Sequence, residues 1–493
     1  MVSAMSQAID LPEVVASIID AICLEHRWKR RSTLLACTLV NSLWNNEANR
    51  RLWDHCGSSD LAGIPTIESL VSMDCIEQQK FASYIRFLNI AKGSSEDGDD
   101  SDFDWLGQYL PRLSRLSFPR LEKLAIDASS SMDREPYEMP KLSQFVQRNL
   151  HTIEINGYLA SNRGFPLPEE WITQLSGYSR ALVEFRLSVG IINQISPTII
   201  ASFLEQMERL THFEWQSNMG MSEETFIILA RRKSLETLAI RRIHDHWILR
   251  SQLQDPSQGD LFKALRQLTC EISAEALDEL LPCLNSLCSI TMYAAQDIPR
   301  ILRILGNCMP KTLSTIQLRP VADAVFRAED LLFLARTSPQ IVILDMAYNI
   351  ERESYQAPTI FDLDNDIIQE LAALLSKLRE LHLVSRSETL LTEQALLSLG
   401  KHCPQLQSCS LTAIVDFENV ANNADEGWWK CLRELRIYGS GPQPDDMEKD
   451  ALLKLAKRIS KLMPSLRLAS FNQNWDLEEA LINERASWTW GDD

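Results

Sequence analysis

What this 493-residue chain lacks narrows what it can be. Its eleven cysteines form no Cys-x-x-Cys pair. Several, such as Cys270 and Cys409, stand where a buried apolar residue would stand, which argues for reduced thiols and against a disulfide framework or a zinc site. There is no Asn-x-Ser/Thr sequon, no basic-then-apolar leader and no apolar run of membrane-spanning length. The expected location is therefore the cytoplasm or the nucleus, with no membrane partner. Positive charge is also short: 49 Lys and Arg stand against 67 Asp and Glu, a formal net charge of -18. That balance speaks against a broad nucleic-acid surface. Part of the excess is one run, Glu96 to Asp104, of the kind that forms a solvated loop.

Catalytic spacing is equally scarce. The chain has no Walker-type glycine loop, no His-Glu-x-x-His and no Gly-x-Ser-x-Gly. The one close histidine pair, His244-x-His246, has no evident third ligand. The expectation is a protein that is not an enzyme, with no catalytic, cofactor-binding or metal-binding residues and with proteins as its partners.

What is present is ordinary folded composition, 45% hydrophobic and 24% charged, in a chain too long for one compact core. Asp10-Leu11-Pro12-Glu13 reads as a helix start, with Asp as N-cap and Pro and Glu in the first turn. Val14, Val15, Ile18, Ile19 and Ile22 follow at helical spacing. Leu34 to Val40, leading to Trp44, is a second apolar stretch, and Ala48, Leu52 and Trp53 make a third. Three short helices in under fifty residues form a marginal core, which gains from a partner covering its remaining apolar face.

The residues Leu11-Pro12-Glu13, Leu39-Val40-Asn41, Trp44 and Leu52-Trp53 resemble the F-box family. The start is one residue tighter than that family's commoner Leu-Pro-x-Glu-Ile form. The resemblance implies docking onto the Skp-family adaptor of a cullin-based ubiquitin ligase. It assigns that contact to Leu11, Pro12, Val14, Val15, Ile18, Leu35, Val40 and Trp44.

From about residue 84 a second pattern recurs: Leu-x-x-Leu-x-Leu, with other apolar residues substituting. Thirteen copies are anchored at Leu121, Leu150, Leu182, Leu210, Leu235, Leu265, Leu287, Leu313, Ile341, Leu378, Leu406, Leu432 and Leu466, and Ile85 begins an earlier one. Apolar–polar–apolar alternation predicts a strand with one buried face. Helical stretches lie between, among them Thr198–Met207, Glu223–Arg232, Asp366–Leu378 and Glu393–His402, several opening after Ser222, Ser273 or Thr392 as N-caps.

Spacings of 22 to 37 residues resemble the leucine-rich repeat superfamily. Cys403-Pro404-Gln405-Leu406 and Cys308-Met309-Pro310 resemble its cysteine-containing subclass. Strands packing about 4.8 Å apart beside helices about 8–10 Å apart predict a curved α/β solenoid, strands concave and helices convex.

The expected organisation is an F-box domain over 8–56, a helical linker over 57–83, the solenoid over 84–473 and a capping tail over 474–493. Inserts at 93–105, 127–141, 157–170 and 349–365 could also bind. Positions two, four and six after each anchor should line the inner face. From these, Arg186, Glu214, Arg241, Tyr293, Arg319, His382, Arg436 and Tyr438 are the candidate contacts for a protein client. Together the two resemblances imply a fungal-type substrate receptor of an SCF-type ubiquitin ligase, or alternatively a scaffold holding the adaptor alone.

Overall fold

The computed structural model describes residues 11–23, 27–57, 65–90, 105–127, 142–156, 167–188, 195–217, 220–249, 261–295, 297–308, 311–320, 324–346, 359–384, 391–425, 427–439, 449–471 and 477–482. The chain divides into two compact units, Met1–Arg241 and Arg242–Asp493.

The first unit opens with three helices, α1 (Pro12–Cys23), α2 (Arg27–Cys37) and α3 (Ser42–Leu52). Their core is small: Val15, Ile19, Leu34, Cys37 and Ala48, with Ile22, Leu43, Trp44 and Leu52 packed partly against it. The chain then passes directly into a parallel ribbon. Its strands are β1 (His55–Cys56), β2 (Phe87–Ile90), β3 (Lys123–Asp127), β4 (Thr152–Asn156), β5 (Glu184–Ser188), β6 (His212–Trp215) and β7 (Thr237–Arg242). Each pairs in parallel with the next. Between them run α4 (Ile67–Ser72), α5 (Cys75–Ala82), α6 (Trp105–Leu113), α7 (Glu169–Tyr178), α8 (Pro197–Gln206) and α9 (Glu223–Ala230).

The second unit repeats the plan. The helix α10 (Asp245–Leu249) precedes β8 (Gln267–Glu271), α11 (Ala274–Leu280), β9 (Ser289–Ala295), α12 (Ile298–Cys308) and β10 (Thr315–Pro320). A short pair of strands, β11 (Val325–Arg327) and β13 (Thr359–Phe361), forms a separate parallel sheet around α13 (Ala328–Thr337) and β12 (Ile343–Asp345). The series continues with α14 (Asn365–Leu374), β14 (Glu380–Leu383), α15 (Glu393–His402), β15 (Ser408–Leu411), α16 (Phe417–Asn423), β16 (Glu434–Ile437), α17 (Lys449–Leu462) and β17 (Leu468–Phe471). The ribbon order is β8-β9-β10-β12-β14-β15-β16-β17, parallel throughout.

All thirteen anchors precede strands, because each motif buries its apolar positions and leaves the residue between them on the other face. In β5, Phe185 and Leu187 are fully buried while Arg186 is not. Stacked aromatics fill part of this core, with ring centroids 6.1 Å apart for Phe185 and Phe213 and 6.3 Å for Phe213 and Trp215. The predicted N-caps form: Ser222, Ser273 and Thr392 accept backbone N–H groups at 3.2, 3.1 and 3.3 Å. Cys403 is buried, and its thiol reaches the Ala372 and Leu375 carbonyls at the end of α14, both at 3.6 Å. Cys308, the other cysteine of that resemblance, is exposed.

Three details differ from expectation. The ribbon starts at β1, inside the segment assigned to the helical head, so α4 and α5 lie between two paired strands instead of in a linker. The helix expected over Asp366–Leu378 stops at Leu374, because Leu378 is needed in the core as the anchor of β14. The pair β11–β13 carries no anchor motif and falls outside the expected pattern. The acidic run Glu96–Asp104, most of the four inserts and residues 483–493 of the tail lie outside the described residues. Residues 477–482 are helical, bury Leu477 and Leu481, and place Glu478 to accept from the Phe471 N–H of β17 at 3.2 Å.

Candidate protein-interaction surfaces

The head shows how one short motif divides its labour. In Leu39-Val40-Asn41-x-x-Trp44, Asn41 caps α3 by accepting the Trp44 backbone N–H at 3.0 Å. Asn45 donates to the Thr38 carbonyl at 2.7 Å, and the Thr38 hydroxyl donates to the Leu35 carbonyl at 2.7 Å. These bonds fix the turn between α2 and α3, and Leu39 and Val40 sit on it, outside the core. Their exposures are 87% and 58%, and those of Leu11 and Leu35 are 51% and 48%.

The other candidate head residues divide. Pro12 is exposed, and Val14 and Ile18 are not fully enclosed. Val15 is fully enclosed in the module's own core, so it has no surface to offer a partner. Trp44 packs against that core, and its indole N–H is buried with no hydrogen-bond partner. Leu39, the most exposed large apolar side chain among the module's described residues, is absent from the expected contact set.

The head joins the ribbon through packed residues. Trp53 stacks on Phe81 with ring centroids 4.7 Å apart, and His55 stacks on Phe87 at 4.3 Å. The Asp54 carbonyl accepts the Arg86 and Phe87 N–H groups at 2.9 and 3.0 Å. Arg86 donates twice to Glu122, at 2.8 and 2.6 Å, and lies 3.7 Å from the Asp54 carboxylate. The bond from Arg86 holds the Glu122 carboxyl below the usual carboxylate range. Burial pushes His55 below an ordinary imidazole, partly offset by Asp54.

On the ribbon of the first unit, Arg186 and Glu214 occupy the same register on β5 and β6. Arg186 pairs with Glu184, and Glu214 accepts from the Ser188 hydroxyl at 2.6 Å. Arg241 is exposed at the end of β7.

In the second unit Tyr293 and Arg319 share a register on β9 and β10. Tyr293 is 42% exposed. Arg319 makes a two-pronged ion pair with the buried Asp345, both contacts at 2.6 Å. The carboxylate also receives Gln317 at 3.4 Å, and Gln317 in turn accepts from Thr291 at 2.9 Å. His382 faces Ser410 at 2.8 Å, and Arg436, in the same row, pairs with Glu434 at 2.6 Å. Tyr438 follows β16 and is half-buried. The ribbon thus gathers Tyr293 with Arg319 and His382 with Arg436, while several candidate side chains are engaged by their own neighbours.

His244 and His246 lie with ring centroids 5.4 Å apart, and burial lowers the His244 pKa. Among the described residues no three His, Cys, Asp or Glu side chains are grouped to hold a metal ion. No described helix is long and apolar enough to cross a membrane.

In each unit parallel strands recur on one side, and helices recur between them in the chain. This is leucine-rich-repeat architecture, and the strand register carries that assignment. No family model matches the chain, and no curated protein matches it. Among solved structures the chain is similar to an internalin of Listeria monocytogenes, with 15% identity, covering 71% of this chain and 86% of that one, TM-score 0.34. A leucine-rich-repeat protein of Leptospira interrogans gives 16% identity, 80% and 98% coverage and a TM-score of 0.35. A crystal structure of the Rad7 and Elc1 complex in yeast gives 12%, 67% and 79%, and 0.37.

Proposed function

We propose that this chain is the substrate-recognition subunit of an SCF-type ubiquitin ligase. The helical head docks on a Skp-family adaptor, and through it on a cullin, while the ribbon's polar face holds a protein client. One observation carries the reading. The head leaves Leu11, Leu35, Leu39 and Val40 about half exposed or more, beside a core of five buried residues among those described. A module that small is stabilised when a partner covers such side chains. The chain itself needs no catalytic group in this role. It raises the local concentration of client lysines near a charged conjugating enzyme held elsewhere in the assembly.

Affinity capture of the full chain tests this. Recovery of both adaptor and cullin supports the receptor. Recovery of adaptor without cullin selects a scaffold outside any ligase. Absence of the adaptor removes the proposal.

A further inference from the structure

The second unit carries a concentrated basic rim that the functional reading above does not use. Arg379, Gln407, Arg433 and Arg467 occupy equivalent positions immediately before β14, β15, β16 and β17. The backbone shows the alignment: Arg379 O accepts from Gln407 N, Gln407 O from Arg433 N, and Arg433 O from Arg467 N, each at 2.7 Å. Lys377, Lys430 and Lys461 lie just upstream of the three arginines. All six cations are exposed, and none has an ion-pair partner among the described residues. The nearest acids along the chain are Glu380, Asp425, Glu426 and Glu434, of which Glu426 lies outside the described residues. Glu380 is half-buried on the neighbouring strand face, and Glu434 is already held by Arg436.

Helix polarity explains only part of this. Cations are favoured in a helix's last turn, and the effect fades beyond it. Lys461 is in the last turn of α17. Arg379, Arg433 and Arg467 lie well past the ends of α14, α16 and α17, at Leu374, Asn423 and Leu462. Nothing in the local fold requires a positive charge there, and they stand in a chain whose net charge is -18.

We propose that this rim is a docking site for a short acidic segment of another protein, taken in extended form. Four adjacent strands at about 4.8 Å span about 14 Å, the reach of about five extended residues, with side chains on one side about 6.7 Å apart. Arg433 and Arg467, on adjacent strands about 4.8 Å apart, lie within a Debye length of about 8 Å at physiological salt, and Arg379, about 9.6 Å from Arg433, lies just beyond it. Nucleic acid is the poorer fit, because a long polyanion would run off the rim onto a chain with a large excess of acid. The proposal does not rest on the head's docking.

The test is fluorescence anisotropy on the full chain, with a labelled peptide of about six glutamates, its glutamine counterpart and an oligothymidylate. Saturable, salt-sensitive binding of the glutamate peptide is expected, weakened about ten-fold by combined Arg379→Gln, Arg433→Gln and Arg467→Gln. Should that variant melt early, combined Lys377→Gln, Lys430→Gln and Lys461→Gln replaces it, with the same loss expected. Equal binding by a folded variant overturns the site. So does equal binding of the glutamine peptide, or oligothymidylate binding tighter than the peptide through the same arginines. Adaptor binding is unchanged in these variants whichever way the peptide result falls.

Discussion

Changing Leu39 and Val40 together to aspartate separates docking from folding in the head. Both side chains sit on the turn between α2 and α3, and neither belongs to the core built on Val15, Ile19, Leu34, Cys37 and Ala48. Full burial of a Leu or Val contributes about 1.5–3 kcal/mol. With 87% of Leu39 and 58% of Val40 still exposed, a partner covering both gains about 2–4 kcal/mol. That corresponds to a loss of about 30- to 1,000-fold in affinity. Carboxylates buried without partners would add to the loss. The turn's own bonds use Thr38, Asn41 and Asn45, so the double variant keeps them.

The assay is calorimetric titration of the full chain with a purified Skp-family adaptor, with thermal melting as the control. Trp44 is the wrong residue for this purpose, since it packs against the core and its loss would change folding and docking together. A double variant, Leu39→Asp with Val40→Asp, that melts normally and binds the adaptor with unchanged affinity would refute the assignment of this surface.

Further outcomes follow from packing, charge and thiol chemistry. Gly400→Ala should destabilise by about 1–3 kcal/mol on thermal melting, because its Cβ would run into the buried Trp429 ring. Gly177→Ala, with nothing within 4 Å, should be neutral or stabilising by up to about 1 kcal/mol. Glu122 takes up its proton less readily in the folded chain than in the unfolded one, because Arg86 depresses its pKa. Its contribution is therefore complete above the unfolded value, about pH 4.3, and is lost as the pH falls through the lower native value. Arg86→Gln should flatten that part of the acid dependence of urea midpoints, and an unaltered slope would count against the pair. Burial pushes the Cys403 and Cys409 thiols up to about 12, and Cys75, Cys308 and Cys431 are exposed. Brief iodoacetamide treatment near neutral pH should label the exposed three and spare the buried two by mass spectrometry; early labelling of Cys403 would contradict the enclosed packing of α14 and α15.

The sequence by itself determined where the strands lie, because each repeat announces its strand within six residues: apolar positions alternate with polar ones, and the buried face is a local property of period two. It also determined the caps at Ser222, Ser273 and Thr392, which act over two or three residues. Only the tertiary structure revealed β1, two residues long, which is a strand because β2 pairs with it. Only the tertiary structure separated Val14 from Val15 and placed Leu39 outside the core, since helical spacing names a face but not what covers it. Stacking likewise brought Asp345 to Arg319 across 26 positions and aligned Arg379, Arg433 and Arg467 at equivalent positions before β14, β16 and β17. Burial patterns are written along the chain, whereas the partners of a polar-face side chain are set by register between strands a whole repeat apart.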